Sequence, residues 1–400
     1  MLTVSRRGVE MPASPIRKLV PYADAAKKKG IKVYHLNIGQ PDIETPPAIM
    51  DAVKKADIPV LEYSHSAGNE SYRKKLTEYY SKTGIELTPE QIMVTTGGSE
   101  AILFAFFTCL DEGDEVIIPE PLYANYLGFA CEAGVKVIPI RSSIETGFKL
   151  PPVSDFEKVI TPRTRAILIC NPNNPTGYLY SKDEMFAIGD ICKKHDLFLF
   201  SDEAYREFCY SEEEYTSVMH IPGMDAHAIL IDTVSKRYSA CGARIGAFVT
   251  KNKEIYAAAL KFAQARLSPP GLAQILGEAA VDLPDDFFDK PKAEYISRRD
   301  LLVTRLNQME GVYCPNPGGA FYAMARLPID NSDKFCQWML EEFSYNDQTV
   351  MFAPGTGFYI TPGLGLNEIR FAYVINKPDI NNAMDCLEAA LKVYPGKTTN

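Results

Sequence analysis

The sequence lacks the patterns by which metal sites and disulfide frameworks are recognised. Its nine cysteines are odd in number, and none of them belongs to a Cys-x-x-Cys pair. None of its five histidines has a second histidine four residues away. A zinc site and a disulfide framework are therefore not expected, and the scattered cysteines favour free thiols in a reducing cytoplasm.

Long apolar runs and an excess of basic residues are also missing. The longest strongly apolar stretch, residues 101–110, is about half as long as a transmembrane helix. Arg6 and Arg7 are not followed by an apolar segment, so we expect neither a Sec nor a twin-arginine signal. The formal net charge of −9 argues against binding to nucleic acid or to an anionic membrane, although it permits a local basic pocket.

Short apolar runs alternate with helical patterns from about residue 70 to residue 250. Such strands predict a mostly parallel sheet that helices cover on both faces. Seven strands are predicted, at residues 92–95, 115–119, 136–140, 165–170, 197–201, 228–234 and 245–250. After a long helix near 287–309, further strands and helices predict a smaller layer. The fold class is therefore α/β, with a seven-stranded central sheet and a smaller α/β domain.

One lysine is unusual because it follows the end of a buried strand. A charged amine at the position of Lys236 is costly to desolvate unless it has a partner or a covalent role. Thr233, Ser235 and Arg244 offer hydroxyl and guanidinium donors that suit a phosphate dianion. An amine beside such a cradle is what a Schiff base with pyridoxal phosphate requires. If Lys236 is considered alone, an ordinary surface lysine is the better interpretation. The motifs described next favour the cofactor-binding interpretation instead.

Further polar groups follow strands at the edge where open parallel sheets bind ligands. Gly97-Gly98-Ser99 opens a helix whose N–H groups favour a phosphate, although an ordinary helix cap is the alternative. Residues 171–177 contain two Asn-Pro steps and form either a structural loop or a rigid turn that holds Asn174 beside a ligand. Asp202 can pair with a pyridine nitrogen, and Tyr205 can donate to the phenolic oxygen of the same cofactor.

In their order and spacing, these motifs resemble the class I/II aminotransferases, which are fold-type I pyridoxal-phosphate enzymes, and aspartate aminotransferases in particular. The resemblance runs from residues 37–42 to residues 369–373 and so covers nearly the whole chain. We expect three parts: residues 1–45 as an amino-terminal arm and part of the small domain, 46–285 as the large cofactor-binding domain, and 286–400 as the small carboxyl-terminal domain with its linking helix.

The resemblance implies a role for each matching residue around the cofactor. Lys236 would bind pyridoxal 5'-phosphate covalently and then move a proton between substrate and cofactor. Asp202 would hold the pyridinium, and Asn174 and Tyr205 would hold the phenolate oxygen. Tyr123 would stack on the ring. The phosphate would be received by Gly98, Ser99, Thr233, Ser235 and Arg244.

The resemblance also implies substrate contacts and a second subunit. Arg370 would form a bidentate pair with the substrate α-carboxylate, because its planar fork matches a carboxylate. Gly39 and Asn174 would lie beside the same substrate. Tyr63 would reach the phosphate of the neighbouring subunit, which implies a homodimer with shared sites.

Two features separate this chain from the family pattern. The family usually has an aromatic residue and Thr-Gly-Trp before the phosphate-binding arginine, where this chain has Ala240, Cys241, Gly242 and Ala243. No second arginine for a dicarboxylate side chain is evident. Arg266 is a candidate only by its order in the chain, and we expect it at the surface.

The main hypothesis is a pyridoxal-phosphate-dependent aminotransferase that moves an amino group from an L-amino acid to a 2-oxo acid such as 2-oxoglutarate in a ping-pong cycle. Aspartate leads as the donor, and alanine and aromatic amino acids stay open. The alternative is a β-lyase or a synthase on the same scaffold, because a fold does not decide an activity. A non-catalytic cofactor-binding protein is a third hypothesis. We expect no DNA-binding module in the first 32 residues.

Overall fold

The computed structural model describes residues 2–211 and 215–398. A seven-stranded sheet lies at its centre. In spatial order the strands are β2 (Ile92–Thr95), β8 (Gly246–Val249), β7 (Ala228–Thr233), β6 (Phe198–Asp202), β5 (Thr164–Cys170), β3 (Glu115–Glu120) and β4 (Lys136–Arg141). Strand β8 runs antiparallel to its two neighbours, and the other neighbouring pairs are parallel. The predicted mostly parallel seven-stranded sheet is confirmed.

Helices cover both faces of this sheet. Successive residues of β5 enter opposite hydrophobic cores: Ala166 and Leu168 belong to one core, and Ile167 and Ile169 to the other. The strand is therefore apolar throughout instead of alternating with polar residues, as expected for a sheet buried on both sides. The helices before residue 285 are α1 (Arg6–Glu10), α2 (Val20–Lys28), α3 (Pro47–Lys55), α4 (Glu70–Ser81), α5 (Gly97–Cys109), α6 (Asn125–Ala133), α7 (Val153–Val159), α8 (Lys182–His195), α9 (Val234–Arg237), α10 (Lys253–Ala265) and α11 (Gly271–Val281).

A smaller α/β layer follows the sheet in the chain, as predicted. Strand β9 (Tyr322–Arg326) pairs antiparallel with β12 (Glu368–Ala372), which also pairs with β11 (Ala353–Pro354). The helices of this part are α12 (Asp289–Asn307), α13 (Ser332–Glu341) and α14 (Lys377–Val393). Strand β1 (Lys32–His35), which the sequence did not reveal, pairs in parallel with β10 (Gln348–Met351). The arm thus joins the smaller layer, while the domain boundaries at 45 and 285 stay a prediction.

The helices that were not predicted include α4 and α7. The buried residues of α4 are Tyr72, Leu76, Tyr79 and Tyr80, which recur at helical spacing and are tyrosines in three of four cases. Because tyrosine carries a polar hydroxyl, this buried face of the helix is not recognised as apolar from the sequence. Within 2–211 and 215–398, no helix combines the length and the apolar character that crossing a bilayer requires.

Candidate active site

A cavity of about 640 Å³ opens at the carboxyl ends of β5, β6 and β7. This volume is in the range of small-molecule sites, and the position is where open α/β sheets bind their ligands. The structure brings most of the predicted site residues together here. The cavity is lined by Gly39, Gly98, Ser99, Tyr123, Asn174, Asp202, Tyr205, Thr233, Ser235, Lys236, Arg244 and Arg370.

Lys236 lies in the short helix α9, directly after β7. Its Nζ donates to the backbone oxygen of Gly39 at 2.9 Å and lies 3.6 Å from Sγ of Cys241. A Cβ on Gly39 would lie only 1.8 Å from the hydroxyl of Tyr322, so glycine is required for this close approach. The lysine amine is thus held at the wall of the cavity by weak contacts that an incoming ligand can replace.

Asp202 is the last residue of β6 and is only 8% exposed. Burial raises the pKa of its carboxyl to about 6, although hydrogen bonds from Tyr126 and from the N–H of Ala204 act against this rise. The Tyr126 hydroxyl donates to Oδ2 at 2.8 Å, and the Ala204 N–H donates to Oδ1 at 3.2 Å. No lysine or arginine within the described ranges forms an ion pair with this carboxylate. A buried carboxylate of this kind suits a cationic ligand atom.

A cluster of hydrogen-bond donors lies where the sequence predicts a phosphate cradle. Because β8 is antiparallel to β7, Thr233 pairs with Gly246, which brings Arg244 to the same edge of the sheet. The hydroxyls of Thr233 and Ser235 lie 2.8 Å apart. The first turn of α5, with Gly98 and Ser99, borders the same end of the cavity. Hydroxyls, a guanidinium and a helix amino terminus together favour an anion.

Backbone geometry around this cradle is unusual at two positions. Arg244 adopts a left-handed conformation with φ of 55°, which is costly for a side chain other than glycine. Gly97 has φ of 75°, and a Cβ there would lie 2.6 Å from Nη2 of Arg244. The guanidinium of Arg244 thus lies against Gly97 at the start of α5. An anion bound there would contact both the guanidinium and the first turn of the helix.

Arg370 is 1% exposed and lies on β12 of the smaller layer. Its Nη1 donates to Oδ1 of Asn174 at 3.0 Å, and its Nη2 donates to the backbone oxygen of Asn37. Burial lowers the pKa of its guanidinium, and its Nε is buried without a hydrogen-bond partner in the structure. Buried donors without partners are rare in folded proteins, so this fork is suited to a ligand carboxylate.

The turn after β5 is rigid, as predicted for residues 171–177. Oδ1 of Asn173 accepts from the N–H of Thr176 at 3.2 Å and from its Oγ1 at 2.9 Å. This side-chain turn fixes the neighbouring Asn174, which is buried and lines the cavity. Nearby, the hydroxyls of Tyr205 and Tyr322 lie 2.9 Å apart. Burial raises the pKa of Tyr205, so its hydroxyl keeps its proton as a donor at neutral pH.

Two predicted positions lie away from the cavity. The side chain of Tyr63 is 77% exposed and does not line the cavity of its own chain. Arg266 was expected at the surface, which is wrong. Its Nη1 lies 3.1 Å from Oε2 of Glu100, and its Nη2 donates to the backbone oxygen of Ser66 at 3.0 Å. The side chain is half-buried, and these partners offset part of the free-energy cost of removing the guanidinium from water.

Tyr322 and Arg17 are among the cavity-lining side chains that the sequence analysis did not identify. Tyr322 lies on β9 opposite Ala372, and so shares a face of the small sheet with Arg370. Arg17, from the segment before α2, also lines the cavity. Neither position carries a local sequence signal, because each depends on pairing between segments that are far apart in the chain.

Comparison with known proteins identifies the family of this chain. The family described as "Aminotransferase class I and II" matches residues 31–386 of the sequence. The chain belongs to this family. Class I and II aminotransferases of this fold use pyridoxal 5'-phosphate, so the protein is a pyridoxal-phosphate-dependent aminotransferase. The predicted family, enzyme class and cofactor are confirmed.

Individual relatives of this aminotransferase differ in their names. An aspartate aminotransferase of Pyrococcus horikoshii is 32% identical, over 97% of this chain and 97% of the relative. Aromatic-amino-acid aminotransferase 2 of Thermococcus litoralis is also 32% identical, over 95% of this chain and 96% of the relative. The solved structure of an alanine aminotransferase from Pyrococcus furiosus has a TM-score of 0.88 and 31% identity, and the match covers 98% of this chain and 100% of that one. Membership of the family therefore does not decide the amino donor.

Proposed function

We propose that this aminotransferase moves the amino group of an L-amino acid to a 2-oxo acid such as 2-oxoglutarate. Aspartate is the leading donor, and alanine and aromatic amino acids are the alternatives. One observation carries the proposal: Lys236, Asp202 and Arg370 line one cavity, although they come from three different elements. An amine, a carboxylate without a cation and a buried guanidinium are the groups that this transfer requires.

The cavity fits pyridoxal 5'-phosphate at both ends of the molecule. The phosphate would be held by Thr233, Ser235 and Arg244, together with the start of α5 at Gly98 and Ser99. Asp202, whose carboxylate lacks a basic partner, would hold the proton on the ring nitrogen. Tyr205 and Asn174 would contact the phenolic oxygen, and the ring of Tyr123 would stack on the pyridine ring.

The remaining residues act on the substrate. When bound, the cofactor supplies an aldehyde that captures the substrate amine and a protonated ring that withdraws electrons from it. Arg370 binds the substrate α-carboxylate with its free Nε and its Nη groups, and the backbone of Gly39 and the side chain of Asn174 border the same position. The substrate Cα would then lie near Nζ of Lys236, which would take the Cα proton and deliver it to the cofactor carbon that had carried the aldehyde oxygen. In the second half of the ping-pong cycle the lysine would move a proton in the opposite direction, from that carbon to Cα of the oxo-acid substrate.

We further infer that the protein is a homodimer in which Tyr63 completes the phosphate site of the partner. Exposed apolar side chains near Tyr63 support this inference. Leu61 contacts the start of α11, since a Cβ on Gly271 would lie 3.5 Å from its Cδ1. Ile58, Val60, Leu61 and Tyr63 are exposed on one segment, and Leu267 and Leu272 are exposed on either side of the residue that Leu61 approaches. Exposed apolar patches commonly mark subunit interfaces. Light scattering should give twice the mass of the chain, and a monomer at micromolar concentration would contradict the inference.

We also infer a cytoplasmic location. All nine cysteines lie in the described ranges, and none forms a disulfide. Free thiols are typical of a reducing compartment. Titration with a thiol reagent after denaturation without reductant should find all nine thiols, and a smaller number would contradict this location.

The visible absorption spectrum tests the proposed function. Single amino acids are added to the purified enzyme with its cofactor and without any oxo acid. Conversion of the cofactor band to that of the pyridoxamine form by aspartate, alanine or an aromatic amino acid would establish the half-reaction and identify the donor. A band that no amino acid shifts would contradict the proposal. Release of pyruvate and ammonia without an acceptor would instead show a lyase.

A further inference from the structure

The hydroxyl of Tyr322 is a polar group of the cavity wall that the proposed function does not use. Tyr322 is 3% exposed and lies on β9 of the smaller layer. Its hydroxyl lies 2.9 Å from the hydroxyl of Tyr205, which follows β6 of the central sheet. Both residues line the cavity. Two phenols from different layers of the fold thus form one hydrogen bond beside the expected position of the cofactor.

The direction of this hydrogen bond decides what Tyr205 can do. A phenol has one proton to donate, and its oxygen can accept a hydrogen bond as well. If Tyr205 donated to Tyr322, its proton would not be free for the phenolic oxygen of the cofactor. If Tyr322 is the donor, the oxygen of Tyr205 accepts and its own proton remains for the cofactor. The role of Tyr205 in the proposed function therefore requires Tyr322 to donate.

The surroundings of Tyr322 favour this direction. The guanidinium of Arg370 lies 4.6 Å from the centre of the Tyr322 ring. A positive charge over the ring draws electron density from the phenol and so strengthens its hydroxyl as a donor. Within residues 2–211 and 215–398, Tyr205 is the one hydrogen-bond partner of the Tyr322 hydroxyl. The Tyr322 proton thus has the oxygen of Tyr205 as its acceptor.

Packing also holds the two phenols in place. A Cβ on Gly39 would lie 1.8 Å from the hydroxyl of Tyr322, so this hydroxyl lies directly against the backbone of Gly39. The rings of Tyr205 and Tyr322 meet nearly edge to face, with centres 5.6 Å apart and an angle of 81° between their planes. Neither ring is free to turn away, so the contact between the hydroxyls is a fixed part of the site.

We propose that Tyr322 is a positioning residue, which donates its proton to the oxygen of Tyr205 and thereby strengthens the hydrogen bond from Tyr205 to the phenolic oxygen of the cofactor. Hydrogen bonds in a chain polarise one another, so donation from Tyr322 makes Tyr205 a better donor. A better donor stabilises the negative charge on the phenolic oxygen, and the linkage between the cofactor and Lys236 then loses its proton at a lower pH. This inference rests on the proposed aminotransferase function and deepens it.

The test is a pH titration of the visible absorption spectrum of the holoenzyme without substrate. Tyr322→Phe removes the hydroxyl and keeps the ring beside Arg370. It should raise the midpoint of the spectral change by about 0.3–0.8 pH unit, because the lost hydrogen bond acts on the cofactor through Tyr205. Tyr205→Phe should raise the midpoint further. In the Tyr205→Phe background, Tyr322→Phe should add less than about 0.2 pH unit, since the group through which it acts is missing.

Tyr373→Phe is the matched control. Tyr373 is buried directly after β12, and its hydroxyl donates to the backbone oxygen of Ala320 at 3.1 Å, but it is not part of the cavity wall. This variant should leave the midpoint within about 0.1 pH unit of the wild-type value. A midpoint that Tyr322→Phe leaves unchanged or lowers would overturn the role of Tyr322. An equal shift with and without the Tyr205 hydroxyl would overturn it as well.

A binding measurement separates the hydroxyl of Tyr322 from its ring. The holoenzyme is titrated with propionate, a monocarboxylate probe for Arg370. Tyr322→Phe should keep the dissociation constant within about twofold of the wild-type value, whereas Tyr322→Leu should raise it about threefold or more, because the ring beside the guanidinium is lost. Much weaker binding to Tyr322→Phe would contradict a role confined to the hydroxyl.

The two proposals fail in different ways. If no amino acid changes the spectrum of the wild-type enzyme, the proposed function is wrong. If amino acids change it but Tyr322→Phe does not move the midpoint, the proposed function stands and the role of Tyr322 is wrong.

Discussion

Asp202 and Asp232 are two buried aspartates near the ends of neighbouring parallel strands, but their surroundings are opposite. Asp202, on β6, lines the cavity, and within residues 2–211 and 215–398 its carboxylate receives hydrogen bonds from Tyr126 and from the backbone N–H of Ala204 alone. Asp232, on β7, is 2% exposed and forms an ion pair with Arg237, while the hydroxyl of Tyr80 donates to it at 2.8 Å.

The pKa values of the two carboxyls follow from this difference. Burial raises the pKa of Asp202 to about 6. Burial also acts to raise the pKa of Asp232, but Arg237 and Arg206 outweigh it and the pKa is lowered. A buried carboxylate whose cation belongs to the chain is part of the scaffold. A buried carboxylate without a cation is a binding group, because its partner arrives with the ligand.

The same contrast separates two consecutive residues of α9. Lys236 lines the cavity and donates to Gly39, whereas Arg237 turns away and binds Asp232 and the backbone oxygen of Thr233. The Arg237 guanidinium also lies 4.2 Å from the ring centre of Tyr79. One helical turn thus carries a reactive amine on one side and an anchor of the scaffold on the other.

The largest expected effect is on the cavity side. Lys236→Ala should lower turnover by at least about 1,000-fold, because the group that moves the substrate proton is lost. Its unfolding free energy should change by less than about 1 kcal/mol, since the amine makes only weak contacts in a partly exposed position. Steady-state rates and urea denaturation measure the two quantities. Substantial residual turnover would remove Lys236 from the mechanism.

On the other side of α9, the expected effect is on stability. Arg237→Met should lower the unfolding free energy by about 3–5 kcal/mol, because Asp232 would stay buried without its cation. The double variant Arg237→Met with Asp232→Asn should recover part of this loss, since the uncompensated charge is removed. Urea denaturation of wild type, Arg237→Met, Asp232→Asn and the double variant measures the coupling. Losses that simply add would contradict the proposed ion pair.

The smallest expected effect depends on pH and uses Asp202→Asn after removal of the cofactor. In the folded protein the Asp202 carboxyl keeps its proton up to about pH 6, whereas in the unfolded chain it ionises near pH 4. Between these values the unfolded chain has lost a proton that the folded protein retains. Stability therefore falls as pH rises, by up to about 3 kcal/mol.

Asparagine does not ionise, so this fall should be absent in the variant. Denaturation at pH 4 and pH 7 should show Asp202→Asn gaining stability relative to wild type at the higher pH. Asp232→Asn is the control, and its stability relative to wild type should be nearly the same at pH 4 and pH 7, because folding lowers the pKa of Asp232 and its pH dependence therefore lies below about pH 4. A pH-independent difference for Asp202 would contradict the absence of a cationic partner.

The sequence was sufficient for the cavity-side residues that stand in local motifs. Lys236 and Asp202 follow apolar strands, and parallel strands end at one edge, so their proximity follows from the fold class. The position of Arg17 could not be predicted, since it depends on an ion pair between Lys18 and Asp333, 315 residues apart. The burial of Arg266 depends in the same way on its contact with Glu100. Such contacts leave no periodic pattern in either segment.

The most direct test of the account is to locate the bound cofactor. The holoenzyme is reduced with borohydride, digested and analysed by mass spectrometry. In the wild-type enzyme we predict a single phosphopyridoxyl group, on the peptide that contains Lys236. The corresponding peptide of Lys236→Ala should carry no such group. A label on another lysine, or no label in an enzyme that shows the cofactor band, would contradict the assignment of the cavity as the active site.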